Sequence, residues 1–148
     1  MNSTIHASAV LVGAKAVLIR GPAGSGKSQL ALALIEAAAQ GALPFARLIA
    51  DDRAHVEACA GRLLARPAPE LAGLIEVRGL GIRRLAYEPV GVIGVVVDLD
   101  AADAGRMPAR EAAETAVEGI VLPRLAVAPH QPALPILRAL LKLSPGGV

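Results

Sequence analysis

Eight consecutive residues carry the clearest chemistry in this chain of 148 residues: Gly21-Pro22-Ala23-Gly24-Ser25-Gly26-Lys27-Ser28. They fit G-x-x-x-x-G-K-[ST], the phosphate-binding P-loop. Backbone N–H groups must wrap a polyphosphate, so glycines are needed where the backbone comes close or takes a positive φ. In such a loop Lys27 would reach the β- and γ-phosphates, and Ser28 would offer its hydroxyl to Mg²⁺. The same residues could also form an ordinary Gly-rich turn. The flanks decide against that: an apolar run at residues 16–19 precedes the loop, and an Ala- and Leu-rich stretch at 29–40, closed by Gly41, follows it. Strand, loop and helix is the setting a phosphate loop requires, and a helix N-terminus favours bound phosphate.

Phosphoryl chemistry also needs carboxylates, for a metal and for a base. Two acidic pairs stand at strand ends. Asp51-Asp52 follow the short run 47–50, and Asp98-Leu99-Asp100 follow the more apolar run 92–97, which is expected at the centre of a sheet. Composition favours the second pair, an Asp pair can also simply cap a turn, and the residues alone leave the choice open. Glu76 and Arg78, two apart on a strand, would point the same way. Gly79 and Gly81 follow them and make the backbone pliable, as suits a loop over a site. An exposed strand end with an ion pair fits the same residues. His6 enters through register. A hairpin turn centred on Ala14 would set His6 opposite Pro22, beside the Gly-rich loop, and a slip of one residue would turn it away.

The elements that must position these groups follow from periodicity. Ala7–Val12 and residues 16–20 read as a hairpin through Gly13-Ala14-Lys15. The helix at 29–40 aligns Leu30, Leu34 and Ala38, with Ala31 and Ile35 beside them, as a core-facing stripe. Residues 55–65 suggest two short strands joined at Gly61, with His55 and Glu57 on a solvated face. Later come a helical segment at 110–118, apolar strands at 119–123 and 125–127, a loop around His130 and Gln131, a helix at 136–143 and a frayed tail at 144–148.

Composition narrows the class. Hydrophobic residues make up 54% and charged residues 19%, which excludes a disordered chain. The net charge is +2, aromatics are 1%, and Arg83-Arg84 is the only adjacent basic pair, so no nucleic-acid partner is expected. The single cysteine, Cys59, is expected as a small buried apolar residue, with no disulfide framework or CxxC metal site. The first residues lack the basic and apolar regions of a signal peptide. The longest apolar run, 89–97, is far short of the roughly 20 residues a membrane helix needs. A cytoplasmic protein with no membrane partner is the expectation.

The motifs in this order resemble the catalytic domain of the bacterial HPr(Ser) kinase/phosphorylase family. The resemblance rests on His6, on Gly21 to Ser28, on Leu48-Ile49-Ala50-Asp51-Asp52, on Arg106-Met107-Pro108 and on the strand 119–123. Its most specific part is Ile75-Glu76-Val77-Arg78-Gly79-Leu80-Gly81-Ile82, similar to the family's signature loop. The resemblance implies one α/β domain over 1–148, a P-loop NTPase-type fold similar to phosphoenolpyruvate carboxykinase, with a central mixed sheet and flanking helices. It covers the catalytic half of longer family members and looks like a short proteobacterial form without an N-terminal domain. It implies an ATP- and Mg²⁺-dependent kinase for a serine of an HPr-like phosphocarrier protein of the sugar phosphotransferase system, working as a homo-oligomer, often a hexamer. It favours Asp51-Asp52 over Asp98-Asp100. It implies Gly21, Pro22, Ala23, Gly24, Ser25, Gly26, Lys27 and Ser28 for ATP, Ser28, Glu76 and Asp51 for the metal, and His6, Lys27, Asp51, Asp52 and Arg106 for catalysis. Asp52 is assigned as base and Asp51 as metal support. The family's reverse reaction releases pyrophosphate from phosphoserine and inorganic phosphate. Its expected Arg- and Gly-containing loop is replaced here by Pro129-His130-Gln131-Pro132-Ala133-Leu134, a departure that bears on this reverse step. The alternatives are a small-molecule P-loop kinase and a nucleotide-sensing module that transfers no phosphate.

Overall fold

Strands buried on both faces fix the centre of the molecule, a computed structural model that describes residues 3–142. In β3 (Lys15–Arg20), Ala16 and Leu18 face one way and Val17 and Ile19 the other, and all four are at most 1% exposed. That pattern belongs to an interior strand covered on both sides. Its neighbours are β2 (Ala7–Val12), antiparallel, and β9 (Gly91–Asp98), parallel. Outside β2 lies β4 (Ala46–Ala50). Toward the other edge follow β6 (Arg62–Pro67), β5 (Ala54–Cys59) and β1 (Ser3–Ile5).

The sheet branches at β9. Its first residues pair antiparallel with β6, whereas Val96 to Asp98 pair parallel with β11 (Ile120–Ala126), which carries β10 (Glu114–Val117) on its far side. A bulge at Gly94 sets the phase. Ala16 stands opposite Ile93 and Val17 opposite Val95, so Gly94 is skipped. A Cβ there would meet the Cβ of Lys15 at 2.9 Å. After the slip, Val95 and Val97 join the core under the helices α1 (Lys27–Ala39) and α2 (Ala133–Lys142). Ile93 and Val96 join the opposite core, where the curled sheet packs Leu18 and Ile49 against Val56, Leu63 and Leu122. The remaining pair, β7 (Leu74–Val77) and β8 (Gly81–Arg84), forms a separate hairpin.

Several expectations shift. The first hairpin pairs Ala7 with Arg20 and Val12 with Lys15, one residue away from the expected register. His6 therefore does not extend the ladder opposite Pro22; it lies exposed at the bend between β1 and β2. The expected helix at 110–118 is only a 3₁₀ turn, Arg110–Ala113, before β10, because tertiary pairing with β11 overrides its helical composition. The two expected strands around Pro123 are one. Pro123 sits where β11 hands over from β10 to β9, a place that needs no donor from it. α1 starts at Lys27 and α2 at Ala133, with Pro135 tolerated in its first turn. The stripe on α1 runs through Leu30, Ala31, Leu34 and Ala37, while Ala38 and Ile35 are half-buried. Cys59 is exposed, not buried, because it closes β5 at the Ala60-Gly61 turn. The end of the last expected helix, at 143, and the tail 144–148 lie outside the described residues. No helix among the described residues is long and apolar enough to cross a membrane.

The C-terminal ends of the parallel strands are clamped by charge. Asp98 accepts from Arg20 Nε at 2.7 Å and Nη2 at 2.8 Å, and from Arg124 Nε at 2.6 Å. Arg124 also reaches both oxygens of Asp103 at 2.8 and 3.0 Å. Burial would raise the pKa of Asp98, but the hydrogen bonds and charges of Arg20 and Arg124 hold it below the ordinary carboxylate range. Hydrogen bonds to Asp103 and Asp98 push Arg124 further above its own high value. A depressed carboxylate stabilises the fold above its unfolded pKa of about 3.9 and loses that contribution as pH falls through the folded value. Asp98→Asn should therefore lower stability by roughly 2 kcal/mol at pH 7, since it leaves the half-buried Arg20 without its anion and Arg124 with Asp103 alone. Urea unfolding should show the gap to wild type narrowing from pH 7 to a pH well below the ordinary carboxylate range, where Asp98 takes up its proton. An equal gap at both pH values would contradict this role.

Candidate functional site

The Gly-rich segment leaves β3 and turns sharply into α1. Gly24 and Gly26 have φ of 82° and 101°, values that side chains rarely adopt. Gly21 is required for space, because a Cβ there would come within 2.5 Å of Ser25 Oγ and 3.1 Å of Leu99 Cβ. Lys27 is the first helical residue and is 8% exposed. Its ammonium donates to the carbonyls of Gly21 at 2.8 Å and Pro22 at 3.3 Å, so it lies along the loop. The N-terminal end of α1 and the loop amides together favour an anion.

Asp51 is the hub beside this loop. It directly follows β4 and is 7% exposed. Ser28 Oγ donates to it at 2.6 Å to Oδ1 and 2.9 Å to Oδ2. Ser8 Oγ donates to Oδ1 at 2.8 Å, and the Glu76 N–H donates to Oδ2 at 3.1 Å. Ser8 Oγ in turn accepts from the Asp52 N–H at 3.2 Å. Asp52 takes a left-handed backbone, φ 66°, that turns its exposed side chain toward the cavity in front of the loop.

That cavity has a volume of about 470 Å³, and its walls include Gly24, Lys27, Ser28, Asp52, Glu76 and Arg78. Of the residues singled out from sequence, it gathers most of the Gly-rich loop, Asp52 and the turn of the β7–β8 hairpin, with Asp51 behind Ser28. The two acidic pairs have different surroundings: Asp98 is bound by Arg20 and Arg124, while Asp51 meets Ser28 beside the cavity. His6 and Arg106 are not in the walls; both are exposed, His6 at its bend and Arg106 in the irregular segment before the 3₁₀ turn. Leu80 and Ile82 of the expected loop are exposed, at 59% and 58%. Ser8 was missed. Its signal was a lone hydroxyl in the apolar run Ala7–Val12, and it is 0% exposed.

The oxygen donors of Ser28, Asp51, Asp52 and Glu76 suit a hard divalent cation that keeps phosphate and water among its ligands. Among the described residues no group of three or more His, Cys, Asp or Glu forms a metal cluster. A cation held by one or two carboxylates and a phosphate needs none.

Comparison with known proteins yields matches of one kind. The family model described as "HPr Serine kinase C-terminal domain" matches residues 1–87. The HPr kinase/phosphorylase of Limosilactobacillus reuteri (strain DSM 20016) is 32% identical over 138 residues, which cover 85% of this chain and 41% of that protein. That of Xylella fastidiosa (strain M12) is 41% identical over 87 residues, 58% of this chain and 25% of the relative. The solved structure titled Hpr(Ser) kinase/phosphatase from Coxiella burnetii matches with a TM-score of 0.72 at 26% identity, over 95% of this chain and 94% of that one. The chain thus spans less than half the length of these curated relatives.

Ser8→Ala removes a donor to Asp51 and the acceptor of the Asp52 N–H. The expected cost is about 1–2 kcal/mol in chemical denaturation. Amide exchange at Asp52 should quicken in the same variant, because the turn loses its tether. Unchanged exchange there would mean that Ser8 does not hold the pair.

Proposed function

The chain belongs to the HPr serine kinase C-terminal domain family, and on that premise we propose that it is an ATP- and Mg²⁺-dependent kinase for a serine of an HPr-like phosphocarrier protein. The observation that carries the reading is the convergence of Lys27, Ser28, Asp52 and Glu76 on one cavity, with Asp51 bonded to Ser28. The ATP phosphates lie along Gly21 to Ser28, cradled by the loop amides and the ammonium of Lys27. Ser28, Asp51 and Glu76 would hold Mg²⁺, which when bound would offset charge on the phosphates.

Asp52 faces the acceptor and takes its proton. The seryl oxygen forms its bond to the γ-phosphorus as the bond to the β–γ bridging oxygen breaks, and ADP leaves. Lys27 offsets charge on the transferring group. Catalysis of this kind is mostly positioning and electrostatics. His6 and Arg106 belong to this reading as catalytic residues that must approach from exposed segments. The exposed β7–β8 turn, with glycines at 79 and 81, has the freedom to close over the acceptor. In the reverse direction phosphate would attack phosphoserine and Asp52 would return the proton. The reading includes a homo-oligomer, a hexamer by family resemblance.

The test is transfer from γ-labelled ATP with Mg²⁺ to HPr-like proteins, wild type and with the acceptor Ser replaced by Ala. Label is expected on the wild-type carrier alone. Lys27→Ala should abolish transfer, and Asp52→Asn should lower it by about 10²–10⁴-fold. Undiminished transfer by Lys27→Ala would sink the role given to the loop. ATP-dependent carrier binding without label would favour a sensing module instead.

A further inference from the structure

A second cavity, of about 330 Å³, lies on the other side of the Gly-rich loop. Gly24 borders both cavities, while Lys27, Ser28 and Asp52 belong to the first alone. The second is built where three parallel strands end. β3 runs into Gly21, β9 into Leu99 and Asp100, and β11 into Val127. Backbone bonds stitch these ends together: Leu99 N–H to Arg20 O at 2.8 Å, Val127 N–H to Asp98 O at 2.9 Å and Ala101 N–H to Val127 O at 2.9 Å. In α/β sheets the crevice beyond the carboxyl ends of parallel strands is the usual ligand site.

The chemistry of its walls differs from that of the first cavity. Leu99, Val127, Pro129 and Pro132 supply apolar surface, and no Lys or Arg lines it. Asp100 is the one carboxylate in the wall. Its sign disfavours another phosphate but suits the hydroxyls of a ribose. The rim is braced. Gln131 Oε1 accepts from the Ala128 N–H at 2.9 Å, which leaves the Gln131 amide protons to offer a ligand. Asp100 and His130 hold left-handed backbones, φ 53° and 65°, conformations that collect at binding sites. Ser25 lines the cavity from the loop itself, and its buried hydroxyl has no partner among the described residues. The volume falls within the range of about 300–1,000 Å³ typical of small-molecule pockets.

We infer that this cavity holds the nucleoside of the nucleotide whose phosphates lie on the Gly-rich loop. The base packs against Leu99, Val127 and the two prolines, and Asp100 accepts from the ribose. The inference rests on the phosphate reading of the loop and deepens it. The phosphate chain then crosses the loop from Gly24 to Lys27, with its reactive end at Asp52.

Calorimetry on the full chain in Mg²⁺ compares ADP with inorganic pyrophosphate, which lacks the nucleoside. ADP is expected to bind at least about tenfold more tightly, the gain of roughly 1.4 kcal/mol that a modest apolar contact provides. Ala128→Trp, which fills the cavity, should pull the ratio of the two affinities toward one. Photolabelling of the wild type with 8-azido-ADP should mark residues 99–100 or 127–132. Equal affinities, or label confined to the β7–β8 hairpin, would overturn the nucleoside site and leave the phosphate site standing. Binding of neither ligand would remove the phosphate reading and this inference together.

Discussion

The Asp51 carboxylate is the interaction on which the site depends. It is nearly buried, so its charge must be met by donors, and three different elements meet it. Ser8 comes from β2, Ser28 from the start of α1, and the Glu76 amide from β7. One anion thereby fixes the distance between the Gly-rich loop, the end of β4 and the base of the β7–β8 hairpin. Two of the three partners are also held by strand pairing: Ser8 opposite Ile19 in the main sheet, and Glu76 opposite Ile82 in the separate hairpin. Loss of the anion would leave buried hydroxyls without an acceptor as well as loosening three elements.

A second charge centre does the same for the parallel half of the sheet. Asp98 ties Arg20, the residue before the loop, to Arg124 of β11. Parallel strands have no hairpin to set their relative heights, so their ends need another constraint. The two centres divide the labour. Asp51 orders the face that carries Ser28, Asp52 and Glu76, and Asp98 orders the strand ends that form the cavity behind the loop. The two acidic strand ends, alike in the sequence, differ in their neighbouring side chains: hydroxyls reach Asp51, guanidiniums Asp98.

Much of this was legible in the chain. The strand before the loop, the helix after it, the glycines and the Asp51-Asp52 strand end all follow from local pattern. The loop similarity at residues 75–82 pointed to the hairpin that borders the cavity. What failed were features set by tertiary partners. Residues 110–118 have helical composition, yet β11 offers an open edge and part of the segment becomes β10. Pro123 looked like a break because a proline cannot serve as a donor, but the strand changes partners there. The register of the first hairpin missed by one residue, enough to remove His6 from the ladder. Ser8 was invisible because its importance lies in an acceptor 43 positions away.

The left-handed residues separate structural turns from the site by physical reasoning alone. Ala60 and Glu118, at φ 52° and 51°, each precede a glycine that is also left-handed, Gly61 and Gly119. Those are hairpin turns, where such pairs match the twist of the strands. Asp52, Asp100 and His130 are left-handed without a following glycine and without a hairpin to explain them. Each costs of order 1 kcal/mol, moderated for Asp by local hydrogen bonding. All three border the two cavities on either side of the Gly-rich loop. Strain that persists at strand ends is held by the surroundings: Ser8 tethers Asp52, the stitched backbone at Leu99 and Ala101 brackets Asp100, and Gln131 braces the turn at His130. The backbone departs from its preferred regions at the borders of the two cavities, and the adjoining hydrogen bonds keep it there.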